Sequence, residues 1–242
     1  LLDQALQHAG KGDLAQALNL GQQALDLARN NLGEEHVSTI LTLREVGNIQ
    51  VQNGQIDAAE PLFQQSADKG KKVLGDTHPE TLAAQTLLAE LKESRMQLEP
   101  AIAAYRDIAE QYNKGFGPNH PLKLHTDLAL TRVLKNQGNT TEGDRILRTT
   151  CPLVAQTFGF YHPETAACLQ QFAEMQRSKG HFEAALKELT QSLSILGAIL
   201  PQQDPRTVGV NITLAGIHRD LGKFADAKKV LQAVLEEIKA RP

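Results

Sequence analysis

Glycine recurs along this chain at a fixed step. Gly33, Gly75, Gly117 and Gly159 stand 42 residues apart, and the next step lands on Pro201. A second column, Gly12, Gly54, Gly138, Gly180 and Gly222, keeps the same step, with Met96 in its one other place. No insertion or deletion breaks the spacing. A fixed period of roughly 20 to 50 residues marks a stack of like units, none of which can bury its apolar face alone.

Three further columns say what each part of the period does. The first reads Leu32-Gly33-Glu34-Glu35-His36, Leu74-Gly75-Asp76-Thr77-His78-Pro79, Phe116-Gly117-Pro118-Asn119-His120-Pro121, Phe158-Gly159-Phe160-Tyr161-His162-Pro163 and Leu200-Pro201-Gln202-Gln203-Asp204-Pro205. Glycine just past a helix end and proline at a first helical position make this a helix stop followed by a helix start. Asp204, standing where the other junctions have His, points to a capping role for that position. A column of small residues follows: Ala17, Ala59, Ala101, Gly143, Ala185 and Ala227. Four residues on lies a larger apolar column, Phe63, Tyr105, Leu147, Leu189 and Leu231, with Gly21 in the first repeat. A spacing of four puts both columns on one helix face, where small side chains let two helices approach.

Each period therefore reads as a helix A, a short turn at the second glycine column, and a helix B. In the second repeat these are expected over 36–52 and 57–73. The apolar share of 41% leans on Leu and Ala, aromatics are 4% and Trp is absent, which favours helix over strand. The expected fold is all-α: a right-handed α-solenoid of about six tandem helix-turn-helix repeats, the first truncated. Its expected divisions are 1–33, 34–75, 76–117, 118–159, 160–201 and 202–242, in a single array that is part of a longer protein.

Composition excludes several functions. With 25 basic and 28 acidic residues the formal charge is -3, too weak a field to gather nucleic acid or anionic lipid. The apolar stretch 193–200 is broken by Ser and Gly and is far short of the roughly 20 residues that span a bilayer, so no membrane association is expected. Leu1-Leu2-Asp3 lacks the features of a signal peptide. Cys151 and Cys168 read as two small core residues, too few for a zinc site or a disulfide framework, and fit a reducing, cytoplasmic setting. His36, His78, His120 and His162 fall one per repeat. Stacking separates them by roughly 18 to 20 Å, too far to share a metal ion. No nucleophile elbow, P-loop or dinucleotide fingerprint is present. The chain is read as no enzyme, with no cofactor, no metal and no catalytic residue.

Leu88-Ala89, Met96 and Ala101, or Leu214-Ala215, Gly222 and Ala227, are similar to the tetratricopeptide repeat pattern. The 42-residue period with its Leu-Gly-x-x-His-Pro junction resembles the longer repeats of kinesin light chains. That resemblance implies a concave groove lined by the A helices, in which a protein or an extended peptide is held. The paired Asn that kinesin light chains carry for cargo peptides fall here on Arg44-Glu45, Thr86-Leu87, Leu128-Ala129, Gln170-Gln171 and Ile212-Thr213, none of which contains Asn.

With 40, 43, 46 and 47 turned inward, the opposite face of helix A offers Arg44, Asn48 and Gln52, then Glu90, then Arg132, Lys135 and Asn136, then Arg177, then Arg219. These are the candidate peptide-binding residues. Glu174, Asp220 and Leu128 share the face. Lys135, Arg177 and Arg219 occupy one repeat position and suggest a basic stripe suited to an acidic peptide. An alternative is self-association, or a regulatory sensor module of a larger bacterial-type multidomain protein. The last helix, expected over 224–240, shows Val230, Leu231, Val234, Leu235 and Ile238 with no further helix to cover them, which allows a homodimer.

Overall fold

A computed structural model describes residues 1–201 and 204–239. Gln202 and Gln203 of the last junction and Ala240 of the last helix lie outside the described residues. Among those described there are twelve α-helices. They are α1 (Leu2–Gly10), α2 (Leu14–Leu32), α3 (Val37–Gln52), α4 (Ile56–Leu74), α5 (Pro79–Ser94), α6 (Leu98–Phe116), α7 (Pro121–Gln137), α8 (Thr140–Phe158), α9 (Pro163–Ser178), α10 (Phe182–Ile199), α11 (Pro205–Asp220) and α12 (Phe224–Lys239). The odd-numbered helices are the A type and the even-numbered the B type. They fall into two compact units, Leu1–Pro118 and Asn119–Pro242. Within each, every helix packs chiefly on its immediate neighbours in sequence.

The periodic residues set where these helices start and stop. Gly33, Gly75, Gly117 and Gly159 end the B helices with φ between +84° and +96° and extended ψ, a conformation open essentially to glycine alone. The next A helix then begins on the junction histidine. Nδ1 of His36, His78 and His162 accepts from the backbone N–H of Ser38, Glu80 and Glu164 at 3.1, 3.2 and 3.1 Å. Asp204 does the same toward Arg206 at 2.9 Å. The last junction departs from the others, since Leu200 ends α10 in ordinary extended backbone. The turn between helices A and B takes positive φ throughout its column, and Met96 adopts φ +59° there although it is not glycine.

Packing follows the columns. Ala17, Ala59, Ala101 and Ala185 are wholly buried and Gly143 and Ala227 are buried, so adjacent helices meet on small side chains. A methyl group at Gly47 would lie 2.5 Å from the Phe63 ring, so that ring rests directly on the backbone of α3. In the second unit, Leu189 and Ile195 pack with Val210, Leu214 and Ile217 of α11. Each such fully buried aliphatic side chain contributes about 1.5 to 3 kcal/mol. Buried hydroxyls repeat the period as well. Ser66 donates to the Ile40 carbonyl and Ser192 to that of Ala166, both at 2.9 Å, tying a B helix to its own A helix.

One expectation is corrected. Cys151 and Cys168 are core residues, 8% and 2% exposed, but they are joined in a disulfide with Cα atoms 5.6 Å apart, inside the usual range for a bridge. The antiparallel helices α8 and α9 set two residues only 17 apart in sequence side by side. A reducing setting, which rested on unpaired thiols, loses that support.

Candidate functional site

The sequence-predicted residues lie on the A helices, and the structure shows what each touches. In the first unit, Arg44 on α3 is half-buried. Its Nε and Nη2 donate to Glu80 Oε2 on α5 at 3.1 and 3.0 Å, and Nη2 also reaches Glu45 at 2.8 Å. Glu80 stands in the first turn of α5, where the helix dipole favours an anion. Asn48 Nδ2 donates to Glu45 at 3.2 Å. Gln52 and Glu90 are exposed. Behind this face Tyr112 of α6 is buried, and burial, with the Glu80 charge second, pushes its hydroxyl up to about 12.

In the second unit the basic stripe is a ladder of ion pairs. Lys135 on α7 bonds Glu174 on α9, and Arg177 Nε on α9 donates to Asp220 Oδ2 on α11 at 2.6 Å. Arg219 Nη2 holds the other oxygen of Asp220 at 3.0 Å. The hydrogen bond from Arg177, then that from Arg219, keeps the Asp220 carboxyl below its ordinary value of 3.8. The Arg177 guanidinium lies over Gly216, where an added Cβ would stand only 3.2 Å from its nitrogen. Arg132, Asn136 and Arg219 remain exposed, whereas Lys135 and Arg177 are half-buried. A cavity of about 510 Å³ opens on this face, lined by Glu174, Arg177, Ser178, Phe182 and Asp220.

The helical wheel thus brings Lys135, Arg177 and Arg219 to the expected face, but their charges are already answered by carboxylates of the same or the neighbouring A helix. The signal was in the sequence: Glu174 lies 39 residues from Lys135 and Asp220 lies 43 from Arg177, each close to one period. Leu128, on the same wheel face, is instead buried against Leu124, Leu147 and Val154.

Among the described residues no group of three or more His, Cys, Asp or Glu is placed to hold a metal ion. No described helix is long and apolar enough to cross a membrane.

No curated protein sequence matches the chain. The tetratricopeptide repeat family profile matches residues 1–72 and 46–114. Solved structures extend the likeness to the rest. A putative kinesin light chain of Podosopora anserina with nearly identical TPR-like repeats aligns at 24% identity over 86% of this chain and 100% of its own, with a TM-score of 0.67. BtubC (BKLC) from P. vanneervenii aligns at 13% identity over 94% and 91%, with a TM-score of 0.76. The apo form of RapI aligns at 14% over 98% and 81%, with a TM-score of 0.71. At these identities the structures speak for the fold alone. With its 42-residue spacing, the chain has the tetratricopeptide repeat fold and is similar to proteins with kinesin light chain-like repeats.

Proposed function

We propose that this chain is a non-catalytic scaffold that holds a partner peptide or protein against its A helices. The observation that carries this reading is the α9–α11 face, where a cavity of about 510 Å³ is walled by ion-paired side chains, among them Asp220, which is bonded to the exposed Arg219. Lys135 and Arg177 are held in one geometry by their carboxylates, so the face is pre-organised, and little side-chain entropy remains to be lost on binding. Because every cation of the stripe already has an anion, the fitting ligand is a segment of mixed polarity. Its acidic group meets Arg219, and its apolar side chain fills the cavity beside Phe182. The exposed Arg132 and Asn136 supply further polar contacts.

Selection against a library of short peptides tests this reading. Binders carrying an acidic residue next to an apolar one should emerge, and Arg219→Glu should weaken them about tenfold, the effect of reversing one charge-assisted contact. Arg219 is exposed and bonds the adjacent Asp220 of its own helix, so its substitution lowers the thermal melt only slightly and leaves the helices folded. A library with no binders, or binders indifferent to Arg219→Glu, rejects the reading. Reversing Lys135 or Arg177 is a poorer test, because each change sets two acids together between neighbouring helices.

A second reading, self-association, is favoured by α12. Leu231 is 47% exposed and Leu235 49%, whereas the residues one or more periods before Leu231, namely Phe63, Tyr105, Leu147 and Leu189, are at most 1% exposed.

A further inference from the structure

Within each unit the face of a B helix that α12 leaves open is covered by the next A helix. Phe63 packs with Leu91 of α5, and Leu189 packs with Val210, Leu214 and Ile217 of α11. On α12 the same face carries Phe224, Leu231, Leu235 and Ile238, all 43% exposed or more. Their steps of seven, four and three place them in one stripe, the spacing of a helix–helix seam. Beside them, between α11 and α12, lies a cavity of about 550 Å³ whose walls include Ile212, Ala215 and Gly216. The missing occupant is therefore an antiparallel helix with an apolar stripe.

Charge narrows the choice. At two of the places where an A helix ends on a B helix, a cation of the A helix meets an acid near the start of the B helix, whereas Leu186 and Leu221, in the same register at α10 and just after α11, are uncharged. Arg95 after α5 bonds Glu60 of α4 at 2.7 Å, and Lys179 after α9 bonds Asp144 of α8 at 2.5 Å. The two pairs are in the same register, since 60 and 144, like 95 and 179, differ by two periods. Two periods beyond Asp144 stands Lys228 of α12. The sign is reversed, and Lys228 is exposed with no ion-pair partner among the described residues. A helix ending in Arg or Lys, as α5 and α9 do, is repelled there, and a helix with an acid near its C-terminal end is accepted.

One helix of this chain meets both conditions. α12 has the apolar stripe, and near its C-terminal end Glu236 is exposed on the Lys228 side of that stripe. Resting on the self-association reading above, we infer that two copies pair through antiparallel α12 helices, each lying against the other's stripe, with Lys228 of one copy on Glu236 of the other. The two-fold relation makes both contacts at once, as a self-complementary interface requires. Leu231 and Leu235 fill the centre, and Gln232 comes close to the axis. The long Lys228 stem covers apolar surface while its ammonium reaches the rim.

Sedimentation of the whole chain over a range of concentrations, followed by a charge swap, tests this. The wild-type chain should sediment as a reversible dimer and Leu235→Glu, at an exposed position, as a monomer of unchanged helicity. Lys228→Glu and Glu236→Lys should each weaken the dimer about tenfold by creating two like-charge contacts, and the double variant should restore it. A Gln232→Cys chain should oxidise to a cross-linked dimer while Ala225→Cys, far from the axis, should not. A wild-type chain that is monomeric throughout overturns both the self-association reading and this geometry. A dimer that ignores the charge changes, or that cross-links through Ala225→Cys, overturns the antiparallel α12 pairing while self-association stands.

Discussion

Met96 holds a backbone conformation that the other places in its column give to glycine. A left-handed conformation costs an L-residue with a Cβ roughly 1 to 2 kcal/mol, and the Met96 side chain is 71% exposed, so it recovers little by packing. Met96→Gly is therefore expected to stabilise the chain by about 1 kcal/mol, raising the melting temperature by about 2 to 4 °C; an unchanged or lower melt contradicts this account. The junction histidines illustrate the same economy. An imidazole nitrogen does what a carboxylate does at Asp204, which is why a position that attracts catalytic interest by its residue type is a helix start.

The helices themselves were legible in the sequence because their boundaries are fixed by local chemistry. Glycine at positive φ, proline at the first helical position and a capping side chain need no tertiary context, and α3 and α4 begin and end within about a residue of the expected 36–52 and 57–73. What was not legible depends on which helices lie side by side. Cys151 and Cys168 look like two ordinary core residues until α8 and α9 are folded against each other, and the Arg177–Asp220 pair looks like two solvated charges until α9 and α11 are. The disulfide closes a short loop between the two helices, and constraint of the unfolded chain by a loop of this size is worth about 3 kcal/mol. Reduction, or the Cys151→Ser and Cys168→Ser pair, should lower the denaturant midpoint of the second unit by a corresponding amount and leave the first unit as it was. A midpoint unchanged by reductant rules the bridge out as a stabilising element.

Across the whole molecule, folding holds several carboxylates below their ordinary values. Arg177 and Arg219 do so for Asp220, the His125 hydrogen bond for Glu164, and the Lys72 hydrogen bond for Glu35. A carboxylate that binds its proton less readily when folded stabilises the fold above its unfolded value. That contribution fades as the pH falls through the lower, folded value. The melting temperature is accordingly expected to show the full carboxylate contribution above the ordinary Glu value of 4.5 and to lose it progressively below the ordinary Asp value of 3.8. Asp220→Asn should flatten part of the acid limb, and a melt that does not fall on acidification speaks against these pairs.

The internal bonds also bear on how such a chain changes length. Ser66 to Ile40 and Ser192 to Ala166, Arg95 to Glu60 and Lys179 to Asp144, each join the same two places in the period. When a bond is defined by place in the period and not by a unique address, the gain or loss of two periods, the step between the two ion pairs, leaves its neighbours facing partners of the same kind. Length is then the property that such a gene can alter at least structural cost, and a reversed charge such as Lys228 marks a place where a unit whose A helix ends in Arg or Lys, like α5 or α9, meets an unfavourable contact.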